Sequence, residues 1–361
     1  NFIKAPKMPR KLKVGFSNSP ANLTHATYRD LGFAANKNGT FDVYSAGGLG
    51  NNPRLGIKVA ESVPPSKILY YIKAMWLTFR AYGNYENRAK ARTRYMQETL
   101  GQDGYRKAFL EKLEGVYQSG EDLTIEKNEN GITKTGDGSL AEGQWISQQK
   151  QPGLYRCHYY PIGGSIKPYK FREIYDIIRD MDQVELRLSP DESLYVINLT
   201  GREAQKVQKV LSDGARTVFE TSVACIGASI CQVGVRDSQK LLQSAVKAVR
   251  DADLPDGVLP QIHISGCPSS CGTHQIGAIG FRGGVKMIDK KPQPAFVLFY
   301  NGCDRQGSEQ MGKEIGVMLE EDIPQFLIEL GSTVRDSGMD FAAWVHRMPE
   351  GVERIASSYL R

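Results

Sequence analysis

Ser265-Gly266-Cys267-Pro268-Ser269-Ser270-Cys271-Gly272 is the stretch whose reading decides the fold. It acts with an earlier pair, Cys225 and Cys231, in Ala224-Cys225-Ile226-Gly227-Ala228-Ser229-Ile230-Cys231-Gln232. The pattern is C-x5-C followed, about 35 residues later, by C-x3-C. Four thiols in two tight loops can surround one compact metal centre. A zinc ribbon uses C-x2-C knuckles, and neither pair has that spacing. The wider spacings suit a cuboidal 4Fe-4S cluster, in which each iron takes one thiolate. Two plainer readings compete: four unconnected buried cysteines, and a structural zinc site. Against the first, four of the six cysteines fall into two glycine-flanked pairs.

The chain has 361 residues, enough for two or three domains with their own cores. Hydrophobic residues make up 40% and charged residues 24%, which reads as soluble and globular. No apolar run approaches the roughly 20 residues that span a membrane. No signal peptide is visible, and a polar, basic start at Asn1 leads us to expect that something upstream is missing. Six cysteines do not make a disulfide scaffold, and a metal cluster favours a reducing cytoplasm. A net charge of +6 permits an anionic ligand or an acidic partner and demands neither.

Along the chain, Lys4, Lys7, Arg10, Lys11 and Lys13 make a basic start. Residues 11–16 alternate with period two and predict a strand, with Lys11 and Lys13 on its polar face; taken alone, they are a solvated edge. Residues 38–50 predict a turn, a strand and a glycine-rich loop, whose amides can approach a flat or anionic ligand. Pro64 and Pro65 predict the start of a helix to about Arg80. A second helix is expected after Asn84, carrying Arg88, Lys90, Arg92 and Arg94, with Arg88 and Arg92 on one face at i, i+4 spacing; taken alone, it is a solvated basic face. The polar stretch of about 119–150 reads as a surface linker, and the main boundary falls there. Residues 151–213 predict the order βαββα, the pattern of a small ferredoxin-like α+β sandwich. Such a sandwich can bind RNA, but the aromatic signature of RNA-reading sheets is absent. Beyond 216 we expect a helix over 228–250, strands near 260–264, 277–281 and 294–300, and helices from about 309, 321 and 339. The domain division that follows is 1–135, a linker 136–150, a module 151–213 and a cysteine-bearing half 216–361.

An internal repeat runs through this division. At a constant offset of 248, residues 17–33 superimpose without a gap on 265–281, so that Ser17, Pro20, Gly32 and Phe33 match Ser265, Pro268, Gly280 and Phe281. Ser19 and Leu23 then stand where Cys267 and Cys271 stand. The reading is a duplicated unit of which only the second copy carries cluster ligands.

With these residues on the page, the chain resembles the siroheme-dependent sulfite and nitrite reductases. That family carries C-x5-C and C-x3-C for its 4Fe-4S cluster, as Cys225, Cys231, Cys267 and Cys271 do here. It also shows a Pro-Arg-Lys-x-Lys segment, here Pro9-Arg10-Lys11-Leu12-Lys13, then a glycine-rich run, here Ser45-Ala46-Gly47-Gly48-Leu49. A Gly-Asn…Arg…Lys/Arg segment follows, here Gly83-Asn84…Arg88…Arg92. The resemblance runs through nearly the whole chain. It implies an α+β fold of duplicated nitrite/sulfite reductase halves with a ferredoxin-like sandwich between them.

The resemblance further implies a cytoplasmic enzyme with siroheme and a 4Fe-4S cluster, carrying out the six-electron reduction of sulfite to sulfide. Cys271 would bridge cluster and haem iron, Lys11 and Lys13 would be the catalytic lysines, and Arg10, Gly47, Gly48, Arg88 and Arg92 would line the siroheme. Lys13 is the basis for sulfite, since nitrite reductases of the family often carry Asn there. Implied partners are the small anion and a soluble donor such as ferredoxin, with neither nucleic acid nor membrane. The resemblance starts in the middle of the family pattern. A second polypeptide would then supply the missing N-terminal part, or the chain is an inactive fragment. Ala46, Ser269-Ser270 and Tyr85 depart from residues usual in the family. Alternatives are a nitrite reductase forming ammonia, a non-catalytic Fe–S or zinc-binding half-enzyme, and a basic RNA-binding protein.

Overall fold

The computed structural model describes residues 7–126 and 131–360. Lys4 lies outside them. The chain divides into two compact units, one of residues 1–129 with 304–309, the other of 130–303 with 310–361.

The first unit is built on a four-stranded sheet of β1 (Val14–Ser17), β2 (Leu31–Ala35), β3 (Phe41–Ser45) and β4 (Ile57–Val63), in that order. β1 and β2 are parallel and the remaining pairs antiparallel. Strand alternation turns Leu31, Phe33 and Val43 to one face, where α1 (Ile68–Tyr82) and α2 (Met96–Gln118) cover them with Met75, Phe79, Tyr105 and Phe109. Phe33, Phe79 and Phe109 are fully buried, and truncating any one to Ala would cost about 3–5 kcal/mol. The opposite face carries Gly15, Ser17, Gly32 and Tyr44. Two expectations are corrected. β1 begins at Val14, because the Lys13 amide donates to the Asp30 carboxylate (2.8 Å) instead of to a strand carbonyl. No helix follows Asn84 directly: Asn84 accepts from the amides of Glu86 and Asn87, and Asn87 from that of Ala89. These local bonds compete with helix formation. The chain makes two short 3-10 turns, Arg88–Lys90 and Thr93–Tyr95, before α2.

The second unit begins with the sandwich. β5 (Ile146–Gln148), β6 (Tyr155–Tyr159), α3 (Pro168–Ile178), β7 (Glu185–Leu188), β8 (Leu194–Leu199) and α4 (Gly201–Val210) give an antiparallel sheet of order β5-β6-β8-β7. The expected βαββα order is present. Pro168 opens α3, and a capping box of Thr200 and Glu203 opens α4. The fourth strand comes from within 136–150, which is therefore not all linker: Ile146–Gln148 pairs with Tyr155–Cys157 across a turn closed by Gln149 N–H to Leu154 O (2.9 Å).

The rest of the unit is a five-stranded sheet of order β13-β12-β11-β10-β9, from β9 (Val223–Ala224), β10 (Ile262–Ser265), β11 (Ile279–Ile288), β12 (Lys291–Tyr300) and β13 (Lys313–Leu319). α5 (Ser238–Asp251), α6 (Ile323–Asp336), α7 (Phe341–Arg347) and α8 (Gly351–Ala356) complete it around a core that includes Phe281, Phe296, Leu298 and Phe326. α5 starts ten residues later than expected, at the Asp237 cap, whose carboxylate accepts from Lys240 N–H. The helix expected from about 309 is strand β13, held antiparallel to β12.

The two sheets repeat each other closely. β1 at 14–17 and β10 at 262–265 differ by 248, and the registers agree: Val14 faces Leu31 as Ile262 faces Ile279. The connecting loops turn alike, with positive φ at Asn22 (52°) and Ser270 (56°), and at His25 (52°) and Thr273 (54°). Gly32 and Gly280 both lie where a Cβ would strike a carbonyl, 1.8 Å from Ala26 O and 1.9 Å from His274 O. β4 and β13 differ by 256 in number; of the extra eight residues, seven lie in the longer β11–β12 hairpin and one between β12 and β13.

Candidate active site

The cysteine loops leave the same ends of two neighbouring parallel strands. β9 ends at Ala224 and leads straight into Cys225; β10 ends at Ser265 and leads through Gly266 into Cys267. Gly266 knits the loops together. Its N–H donates to Cys225 Sγ (3.2 Å), and its carbonyl accepts from the amides of Val235 and Arg236 (2.9 Å each). Arg236 O in turn accepts from Ala228 N–H (3.0 Å), closing the C-x5-C loop. A side chain at 266 would lie 2.4 Å from Arg236 O, and one at 272 would lie 2.0 Å from Ile264 O, so glycine is needed at both.

All four cysteine sulfurs belong to one unit, and the six cysteines of the chain make no disulfide. Cys267 is buried, Cys225 and Cys231 are half-buried, and Cys271 is exposed. Cys225 Sγ also lies 3.1 Å from Ser238 Oγ. The Ser238 hydroxyl itself donates to Cys225 O (2.6 Å), which holds the start of the loop to α5. Beside Cys271, Ser270 Oγ and both ring nitrogens of His274 are buried without a hydrogen-bond partner. Burial, with Arg282 and His263 nearby, pushes the His274 imidazole down to about 3, so it is neutral. Among the described residues no three His, Cys, Asp or Glu side chains converge as a single metal ion requires. A cube differs in this respect, since each thiolate goes to a separate iron. Donor type, loop placement and the orphaned polar atoms fit a 4Fe-4S cluster held by Cys225, Cys231, Cys267 and Cys271.

The other expected site residues lie in the first unit. Lys11 and Lys13 are both exposed, in the extended segment leading into β1. Partial desolvation lowers the Lys13 pKa, Arg92, Arg29 and Lys11 lower it further, and Asp30 opposes them. Arg92 donates from one terminal nitrogen to both Asp30 oxygens (2.7 and 3.0 Å), while its Nε is buried without a partner. Arg10 Nη1 is likewise buried and unpartnered. Such orphaned cationic donors fit an anionic group, as the carboxylates of a siroheme are. Arg88 is exposed and, with no helix to carry it, shares no helical face with Arg92. Gly47 and Gly48 have packing reasons of their own. A Cβ at 47 would lie 2.9 Å from Arg29 O, and one at 48 would lie 3.2 Å from Arg94, which donates to Asn51 O.

Sequence reasoning missed Arg29 and Asp30. A lone Asp between Arg29 and Leu31 has no spacing signal. Only the fold brings it beneath Lys13 and Arg92.

Residues 1–116 match the family model described as nitrite and sulphite reductase 4Fe-4S domain. That stretch holds no cysteine; the four ligand candidates lie in the second copy. The sulfite reductase (NADPH) hemoprotein beta-component of Staphylococcus haemolyticus is 24% identical over 300 residues, covering 76% of this chain and 50% of the relative. That of Bacillus licheniformis is 25% identical over 301 residues, with the same coverage. The chain thus spans about half the length of the curated relatives it matches. Among solved structures, the Mycobacterium tuberculosis NirA protein superimposes with a TM-score of 0.74 at 22% identity, covering 94% of this chain and 63% of that one. The α+β fold of duplicated halves is the fold they share. No helix of the described residues is long and apolar enough to cross a membrane.

Proposed function

We infer, from a chain that belongs to the family of siroheme sulfite and nitrite reductases, that it works as an oxidoreductase reducing sulfite to sulfide with siroheme and a 4Fe-4S cluster. The observation that carries this reading is the pair of cysteine loops issuing from β9 and β10 and tied through Gly266. When bound, these groups supply electrons singly to a small oxyanion. The chain's own residues do the rest. Cys225, Cys231, Cys267 and Cys271 hold the cluster. Cys271, the exposed thiol of the four, would serve a second iron as well. Arg10 and Arg92 would hold the siroheme carboxylates with their unpartnered nitrogens. Lys11 and Lys13 neutralise the oxyanion and pass protons to oxygens leaving as water. Its lowered pKa makes Lys13 a better proton donor than an unperturbed lysine. Sulfite is chosen over nitrite on Lys13, since its second cation suits a dianion better than a monoanion. A soluble donor such as ferredoxin and a cytoplasmic location complete the proposal.

The test is visible absorption and iron content after anaerobic purification. Siroheme gives Soret and red bands, and a cluster alone gives only a broad shoulder. Cys271→Ser is expected to lose the electronic coupling between haem and cluster and at least 100-fold of turnover. A colourless, iron-free wild type, or a fully active Cys271→Ser protein, overturns the reading.

A further inference from the structure

We propose that Asp30 is the positioning residue of the anion-binding edge of the first unit, fixing Lys13, the glycine-rich run and Arg92 relative to one another; this rests on the reductase reading above. Its carboxylate is 1% exposed and gathers three donors from two distant segments. Oδ2 accepts the Lys13 amide (2.8 Å) and Arg92 (2.7 Å), while Oδ1 accepts Arg92 (3.0 Å) and the Thr93 hydroxyl. Its backbone carbonyl takes the Ala46 amide (2.8 Å), next to Gly47, and Ser45 Oγ (3.4 Å). Thus the three segments expected to form the anion site all end on one side chain or its peptide. A buried carboxylate is tolerated only when fully paired, and here the pairing partners are the expected site residues themselves.

The arrangement also sets charge. Arg92 spends one terminal nitrogen on Asp30, which leaves its buried Nε without an acceptor. Lys13 is crowded by Arg92, Arg29 and Lys11, and Asp30 is the negative group that offsets them. Removing that charge moves Lys13 toward neutrality at a lower pH. Losing the Arg92 bonds frees the guanidinium to swing.

Asp30→Asn, which keeps the size and one acceptor oxygen, is the variant of choice. Losing the charge-assisted bonds is expected to raise KM for sulfite about tenfold with kcat within about threefold, and to move the alkaline limb of the activity profile to lower pH. A readout independent of the cofactors is amide hydrogen exchange. Peptides covering 11–16 and 91–96 should exchange faster in the variant, and those covering 154–199 as in wild type. Thr93→Val, which removes a single hydroxyl donor, should show a smaller KM shift in the same direction and judges the idea if Asp30→Asn does not fold. Unchanged KM, pH limb and exchange overturn the proposal, as does a loss of kcat alone. A wild type without colour or turnover sinks the reductase reading instead, and exchange in the same peptides then decides the positioning role by itself.

Discussion

At Lys13 the chain joins two demands. Its carbonyl accepts the Leu31 amide (3.1 Å) and its own amide is held by Asp30, so the backbone is fixed while the side chain stays exposed among other cations. A lysine so placed attracts doubly charged anions more strongly than singly charged ones. Lys13→Asn is therefore expected to lower kcat/KM for sulfite about tenfold more than that for nitrite, measured with one artificial donor for both. An unchanged ratio would remove the basis for choosing sulfite. The paired cysteines were legible because their spacing is a signal in one dimension, whereas Lys11 and Lys13, taken alone, read as a solvated strand edge. Asp30 and Arg29 were not legible, because their meaning lies in contacts between segments up to 63 positions apart, as in Thr93 with Asp30.

Among the elements, legibility followed how completely local chemistry agreed with the fold. The sandwich was readable because proline, capping box and alternation all pointed one way. β13 was misread as a helix because Lys313–Leu319 carries no strict alternation; its strand state comes from pairing with β12. The stretch 84–95 was misread because its cationic spacing looked helical while Asn84 and Asn87 were already capping turns. The strand-to-strand loops of the two copies allow a sharp test of packing. Gly280→Ala would drive a methyl to 1.9 Å from His274 O and is expected to cost more than about 3 kcal/mol and the iron with it. Gly284→Ala, four residues on in β11, meets nothing closer than 3.8 Å and should leave the unfolding midpoint within a few degrees of wild type. Equal stability of the two variants would show that the loop does not need its tight turn.

For the molecule as a whole, buried neutral imidazoles tie stability to pH. Burial pushes His158 down to about 4, outweighing the pull of Asp191, and His274 down to about 3. In the unfolded chain both titrate near 6.5, so below that pH the unfolded state takes up protons that the folded state refuses. The histidine contribution is complete above pH 6.5 and erodes as pH falls toward 4, by up to about 1.4 kcal/mol per pH unit for each ring. His158→Gln should accordingly flatten the fall of the thermal midpoint between pH 6.5 and 4.5 relative to wild type. A parallel slope would mean that His158 is protonated in the folded protein.

The two sheets differ in one respect that outweighs their likeness. Among the described residues, β1 has a neighbour on one side only, whereas its counterpart β10 is flanked by β9, the short strand that delivers Cys225. Converting Ser19 and Leu23 to cysteine would copy the C-x3-C hook faithfully and still leave it two thiols short. Possession of an electron-storing centre is thus decided by an adjoining strand, and no pair of point changes in the hook could transfer it from one copy to the other.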